Sequence, residues 1–150
     1  MISDVLHIGL TVKDLDRSAA FYRDVLGFAY QGELTMAGPE TEALFRRPGC
    51  RARVAYLNSS ETLSGPQVEL IQFEGMDPEE VPGDLFRTSI SELCFRTDDI
   101  WREYRRLKEA GVECLSQPQD FDFTKDGFGR SRAMYLRDPD GIILELMECH

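Results

Sequence analysis

The sequence predicts an α+β fold built from one unit used twice. Two observations carry this. The segment Val5-Leu6-His7-Ile8-Gly9-Leu10-Thr11-Val12 has the period-two alternation of a half-buried strand, and it reappears about 85 positions later as Glu92-Leu93-Cys94-Phe95-Arg96-Thr97. The segments Val68-Glu69-Leu70-Ile71 and Leu144-Glu145-Leu146-Met147 also match, each setting one carboxylate between inward apolar residues. Duplication of a strand, a helix and a run of strands is the simplest account of both matches.

The elements follow in order. In the first strand Leu6, Ile8, Leu10 and Val12 share one face, which leaves His7 on the other. Asp14 is placed to cap a helix whose apolar stripe is Leu15, Ala19, Tyr22 and Leu26, widened by Phe21 and Val25 and ended by Gly27. Strands are expected near 51–57 and 68–73. Residues 75–88, with Pro78, Pro82 and two acidic clusters, read as a linker between a first module of about 1–74 and a second of about 89–150. In the second module Leu93 and Phe95 face inward, Cys94 reads as a buried thiol, and Glu92 stands where His7 stands in the first. A helix starting at Asp98 or Asp99 carries Ile100, Tyr104 and Leu107, with Trp101 at the edge and Gly111 as terminator. Strands near 133–137 and 142–147 are joined by Asp138-Pro139-Asp140-Gly141, a strong turn signal. The stretches 32–49 and 116–131 read as irregular. They carry Leu34, Met36, Leu44 and Phe45, then Phe121, Phe123 and Phe128, which suits lids over a site better than plain surface loops.

Composition narrows the function. With 42% hydrophobic residues in 150, one core-bearing domain or two small fused modules can form, neither module being confidently stable alone. A net charge of -10 repels phosphate backbones and anionic lipid, so neither nucleic acid nor a membrane surface is expected as partner. A small neutral or metal-chelating molecule fits better. No apolar run reaches the length of a membrane span, and Met1-Ile2-Ser3-Asp4 lacks the start of a signal peptide, so the expected location is the cytoplasm. Cys50, Cys94, Cys114 and Cys149 lack the close spacing of a zinc knuckle or a disulfide framework.

His7, Glu69, Glu92 and Glu145 recur as two matched pairs in otherwise apolar strands. A lone glutamate in an alternating strand is ordinarily a solvated surface residue; three at matched positions beside a histidine point instead to a metal site. Carboxylates held a few ångströms apart repel one another and need either a cation or arginines, for which Arg51, Arg53, Arg96 and Arg132 are candidates.

The runs His7-Ile8-Gly9-Leu10-Thr11-Val12-Lys13-Asp14-Leu15, Phe21-Tyr22, Leu26-Gly27-Phe28 and Asp138-Pro139-Asp140-Gly141-Ile142-Ile143-Leu144-Glu145-Leu146 resemble the vicinal oxygen chelate superfamily. That superfamily includes glyoxalase I, methylmalonyl-CoA epimerase, fosfomycin resistance proteins, bleomycin-binding proteins and extradiol dioxygenases. The resemblance implies two tandem βαβββ modules whose curved mixed sheets surround a metal-binding cleft, and a homodimer. It carries the metal ligands to His7, Glu69, Glu92 and Glu145. Glu92 stands where many members have histidine, so the donor set is one imidazole and three carboxylates. Such a set favours one divalent ion of the Mn²⁺, Mg²⁺, Co²⁺, Ni²⁺ or Zn²⁺ kind.

The expected activity is that of a metal-dependent epimerase, isomerase or lyase that stabilises an enolate-type intermediate of a small oxygenated metabolite. Glu145, by resemblance to the closing-strand glutamate of some members, is the expected proton carrier, with Glu69 as the other catalytic candidate. Arg53, Tyr56, Phe121, Phe123, Phe128 and Tyr135 are the expected cleft residues. Capture of a cationic planar drug without catalysis is the main alternative, suited by the acidic surface and the loop phenylalanines. Fosfomycin-type thiol transfer and extradiol ring cleavage rank lower. No lysine and serine cluster suggests a phosphonate pocket, and the second chemistry typically needs two histidines where only His7 is in place.

Overall fold

Asp14 and Asp99 start matched helices, and each helix is fastened to the last strand of its own sheet. The computed structural model describes residues 4–59 and 66–150. Its first sheet comprises β1 (His7–Thr11), β2 (Ala29–Met36), β3 (Ala52–Asn58) and β4 (Gln67–Phe73), in the order β1-β4-β3-β2. Helix α1 (Leu15–Ala20) follows β1 and runs into a π-helical turn, Phe21–Val25, while α2 (Pro39–Phe45) joins β2 to β3. The second sheet comprises β5 (Leu93–Arg96), β6 (Gln119–Phe123), β7 (Gly129–Arg137) and β8 (Ile143–Cys149), in the order β5-β8-β7-β6, with α3 (Ile100–Glu109) after β5. In both sheets the first strand runs parallel to the last and the other neighbours are antiparallel. The chain divides into two compact units between Glu80 and Val81, with one sheet in each. The fold is therefore α+β with two like modules, as the repeat predicts.

Burial explains the register. Ile8 pairs with Val68 and Leu10 with Leu70, and these rows continue to Leu57 and Ala55 on β3. In the second unit Leu93 pairs with Leu144 and Phe95 with Leu146, continuing to Leu136 and Met134 on β7. Slipping either parallel pair by one residue would turn these apolar rows away from the helix. Asp14 accepts from the Arg17 amide at 3.0 Å and Asp99 from the Arg102 amide at 2.9 Å. The Leu15 amide donates to Gln72 on β4 at 3.0 Å, and the Ile100 amide donates to Glu148 on β8 at 2.8 Å. Side chains from a cap and a distant strand thus satisfy amides that have no partner within the helix. Leu15, Tyr22, Ile100 and Leu107 are fully buried.

Some expectations change. The parallel ladder begins at His7 paired with Gln67, so Leu6, expected to face inward, lies outside the strand and is 76% exposed. Cys94, expected to be buried, is exposed, because the pleat puts it on the face opposite Leu93. Glu92 falls one residue before β5. The two stretches read as loops hold regular structure: 32–49 contains most of β2 and all of α2, and 116–131 contains β6, a 3-10 turn and the start of β7. Their strands sit at sheet edges, and every residue of β6 is exposed, so little alternation reached the sequence. Within 75–88, Gly83 is tied to the β7–β8 turn. Its amide donates to the Gly141 carbonyl at 3.0 Å, and the Arg137 guanidinium donates to both the Gly83 and Gly141 carbonyls.

Replacing Asp99 with Ala should lower stability by about 1 kcal/mol. In thermal denaturation that is a fall in Tm of about 2–4 °C. An unchanged Tm would show that the Glu148 contact holds the helix start by itself.

Candidate functional site

In the first unit, Gly9 on β1, Glu69 on β4 and Tyr56 on β3 form one row across the sheet. Strand alternation puts this row, with His7, on the face opposite α1. The other face carries Gln72, which holds the start of α1, and Arg53, which donates to Asp16 of that helix. His7 Nε2 lies 3.3 Å from Glu69 Oε2, and the Tyr56 hydroxyl donates to Glu69 Oε1 at 2.6 Å. The His7 and Tyr56 rings meet edge to face, 6.2 Å between centroids. Glu69 is only 8% exposed, and each of its oxygens has a neighbour. The hydrogen bond to Glu69, then burial and the negative charge, push the Tyr56 phenol up to about 12. Gly9 leaves room for this arrangement, since a Cβ there would lie 3.2 Å from Glu69 Oε2.

The second unit repeats the row as Cys94, Glu145 and Tyr135. Glu145 is 9% exposed. Although the Cys94 residue is exposed overall, partial desolvation of its thiol, then a hydrogen bond to Glu145 and the charges of Glu145 and Glu92, push that thiol up to about 12. Burial first, and then the same two carboxylates, also raise Tyr135. Glu92 therefore acts electrostatically on the Glu145 row although it precedes the strand. One difference separates the units: the Tyr135 hydroxyl makes no hydrogen bond among the described residues, whereas Tyr56 holds Glu69.

Two donors on one ion with bonds near 2.1 Å stand about 3.0 Å apart at right angles and about 3.4 Å apart in a tetrahedron. The 3.3 Å between His7 and Glu69 fits such a pair, and an imidazole with carboxylates suits a hard or borderline divalent ion. The same separation serves an ion pair when the imidazole is protonated. Among the described residues, no three His, Cys, Asp or Glu side chains stand together as a ready-made metal cluster. Of the four expected ligands, His7 and Glu69 meet in the first unit, whereas in the second Glu92 lies one residue before the strand whose Cys94 pairs with Glu145.

The expected cleft residues divide. Tyr56 and Tyr135 lie in the carboxylate rows. Phe121 pairs with Ser131, which shares the face of Tyr135, and Phe123 follows two residues on. These two rings stack at 5.8 Å with planes 12° apart, both partly exposed, and Phe121 borders a cavity of about 510 Å³ with His150 and Arg132. Phe128 stands 86% exposed beyond the turn that ends β6. Arg53 is a correction: it lies on the helix face and is held by Glu33 at 2.7 Å and Asp16 at 2.9 Å. Arg51 pairs with Glu74, and Arg132 with Asp120 and Glu148, so three of the four candidate neutralising arginines are engaged elsewhere. Sequence reasoning missed Gly9 and Cys94 as the neighbours of the two glutamates. Their shared spacing of two residues after His7 and Glu92 was the signal.

The sequence model of the Glyoxalase/Bleomycin resistance protein/Dioxygenase superfamily matches residues 4–146. The chain is 26% identical over 144 residues to the lactoylglutathione lyase of Haemophilus influenzae, covering 96% of this chain and 91% of that protein. It is 27% identical over 151 residues to the ethylmalonyl-CoA/methylmalonyl-CoA epimerase of Cereibacter sphaeroides, covering 97% and 98%. A crystal structure of a glyoxalase family protein from Bacillus cereus superposes with a TM-score of 0.84 at 16% identity, over 99% of this chain and 95% of that one.

Tyr56→Phe should destabilise the protein by about 1–3 kcal/mol, because it strips a partner from a buried carboxylate oxygen. Tyr135→Phe should cost less than half as much. Chemical denaturation of both variants checks this, and equal losses would show that the Tyr56–Glu69 bond contributes nothing specific.

Proposed function

Because the chain belongs to the Glyoxalase/Bleomycin resistance protein/Dioxygenase superfamily, we propose that it is a metal-dependent lyase, isomerase or epimerase of a small oxygenated metabolite. The observation that carries this is the pairing of His7 with Glu69, repeated in register by Glu145 in the second unit. The proposed ligands are His7, Glu69, Glu92 and Glu145. When bound, a divalent ion would supply electrophilic stabilisation of the negative charge that develops on a substrate oxygen.

The rest falls to the protein. Glu69 has its oxygens turned to Tyr56 and His7, so it is held in one orientation and suits a fixed donor. Glu145 stands between Cys94 and Tyr135 in its row and among the described residues no phenol holds it, so it is the freer carboxylate. We assign it the proton transfer: it takes a proton from the carbon next to the substrate's carbonyl and returns it to the same or the neighbouring atom. A carboxylate that loses a contact in a dry site gains proton affinity, which suits it to both steps.

Capture of an aromatic ligand without turnover is the second reading, favoured by the parallel Phe121–Phe123 pair on the face of Glu145. Elemental analysis of protein purified without added metal or chelator separates the two. The enzymatic reading expects near-stoichiometric divalent metal that falls in both His7→Ala and Glu92→Ala, and a Glu145→Gln variant that loses turnover on a hydroxy-ketone or thioester substrate by far more than it loses metal. Failure to take up metal even when divalent ions are supplied would overturn it in favour of capture.

A further inference from the structure

The face of the second sheet that carries Glu145 also carries one uncommitted cation. Cys94 and Arg96 lie on the same side of β5, two residues apart, about 7 Å along the strand. Arg96 ends the strand, is exposed, and has no ion-pair or hydrogen-bond partner among the described residues. In the first unit Arg51, just before β3, is satisfied by Glu74, and Arg53 on β3 by Glu33 and Asp16. So are the arginines of β7: Arg130 by Asp122, Arg132 by Asp120 and Glu148, and Arg137 by Glu113 and the backbone. In a chain with 27 acidic residues against 17 basic ones, an unpaired strand arginine is not for want of acids.

Nor does the fold need it. The same place in the first unit is Thr11, which pairs with Ile71 as Arg96 pairs with Met147. Beside Arg96 in its row stand Met147 and then Ala133, a non-polar strip without competing acid. A guanidinium edged by apolar side chains and free of internal partners is suited to a two-pronged hold on a carboxylate or phosphate.

We propose that Arg96 is a specificity-determining residue that binds an anionic group of the substrate, distal to the atoms that undergo reaction. The substrate is then an oxygen-chelating metabolite with a second acidic function a few bonds away. This rests on the metal-site reading of the Glu145 face.

The test uses Mn²⁺-loaded protein titrated calorimetrically with lactate, malate, 2-hydroxyglutarate and 2-hydroxyadipate. All four carry the same chelating head, and the last three place a second carboxylate progressively farther from it. One dicarboxylate is expected to bind about tenfold more tightly than lactate. Arg96→Gln should erase that preference while leaving metal content and lactate affinity unchanged, and Arg96→Thr, the residue the first unit uses there, should do the same. A preference that survives both substitutions, or no dicarboxylate preference in the parent protein, would overturn the proposal. Failure of the underlying site looks different: no Mn²⁺ uptake, or no lactate binding in parent and variants alike, which removes both readings.

Discussion

Parallel pairing of the first strand with the last is the constraint on which each unit depends. It fixes β1 against β4 and β5 against β8, and so decides which residues face the helix and which face away. A parallel pair cannot be closed by a tight turn; the chain between must leave and return, and it does so through a helix and two more strands. The helix then covers the apolar face and the opposite face is left for polar side chains. The amide bonds of Val12 to Ile71 and Thr97 to Met147, both 2.9 Å, extend each ladder to the point where the helix begins. Sheet register and helix docking are therefore one event, and Gln72 and Glu148 complete it from the strand side.

The repeat is close in backbone and unequal in chemistry. Both units cross the sheet with a glutamate flanked by a tyrosine on the same neighbouring strand. On the other side one unit has glycine and the other cysteine. Glycine leaves Glu69 room to reach His7, and the tyrosine holds its second oxygen. Cysteine takes the place of that glycine in the second unit and stands beside Glu145. Such small changes within a repeated scaffold give a fixed carboxylate and a freer one, the difference on which the proposed proton transfer relies. The arginines follow a similar division. Most pair with acids on a neighbouring strand or loop of their own unit, and among the described residues Arg96 is left over on the face of Glu145.

Central strands and helix starts were legible because burial and capping leave local marks. Buried strands such as β3 and β4 require apolar residues, and Asp14, Asp99, Gly27 and Gly111 announce helix ends through hydrogen bonding and positive φ. Edge strands β2 and β6 left no such marks. Their residues are largely exposed, so selection for a core did not write alternation into them. Leu34, Met36, Phe121 and Phe123 looked like loop residues; pairing places them on the faces that carry the glutamate rows. Arg53 was misread for the complementary reason. Its spacing from Tyr56 is odd, so the two side chains leave the strand on opposite faces.

The sequence by itself determined that the chain is a duplicated α+β protein, and that one histidine and three glutamates recur at matched positions, Glu69 and Glu145 within β4 and β8, His7 and Glu92 at the starts of the strands that pair with them. Periodicity and repetition are local properties, and local properties survive in a string of letters. Only the tertiary structure decided that Glu69 is held between Tyr56 and His7, that Glu145 instead stands beside Cys94, and that among the described residues Arg96 alone of the strand arginines is unclaimed. Those facts depend on which residues pair across strands distant in sequence, and pairing is settled by the register that buries the most apolar surface against each helix.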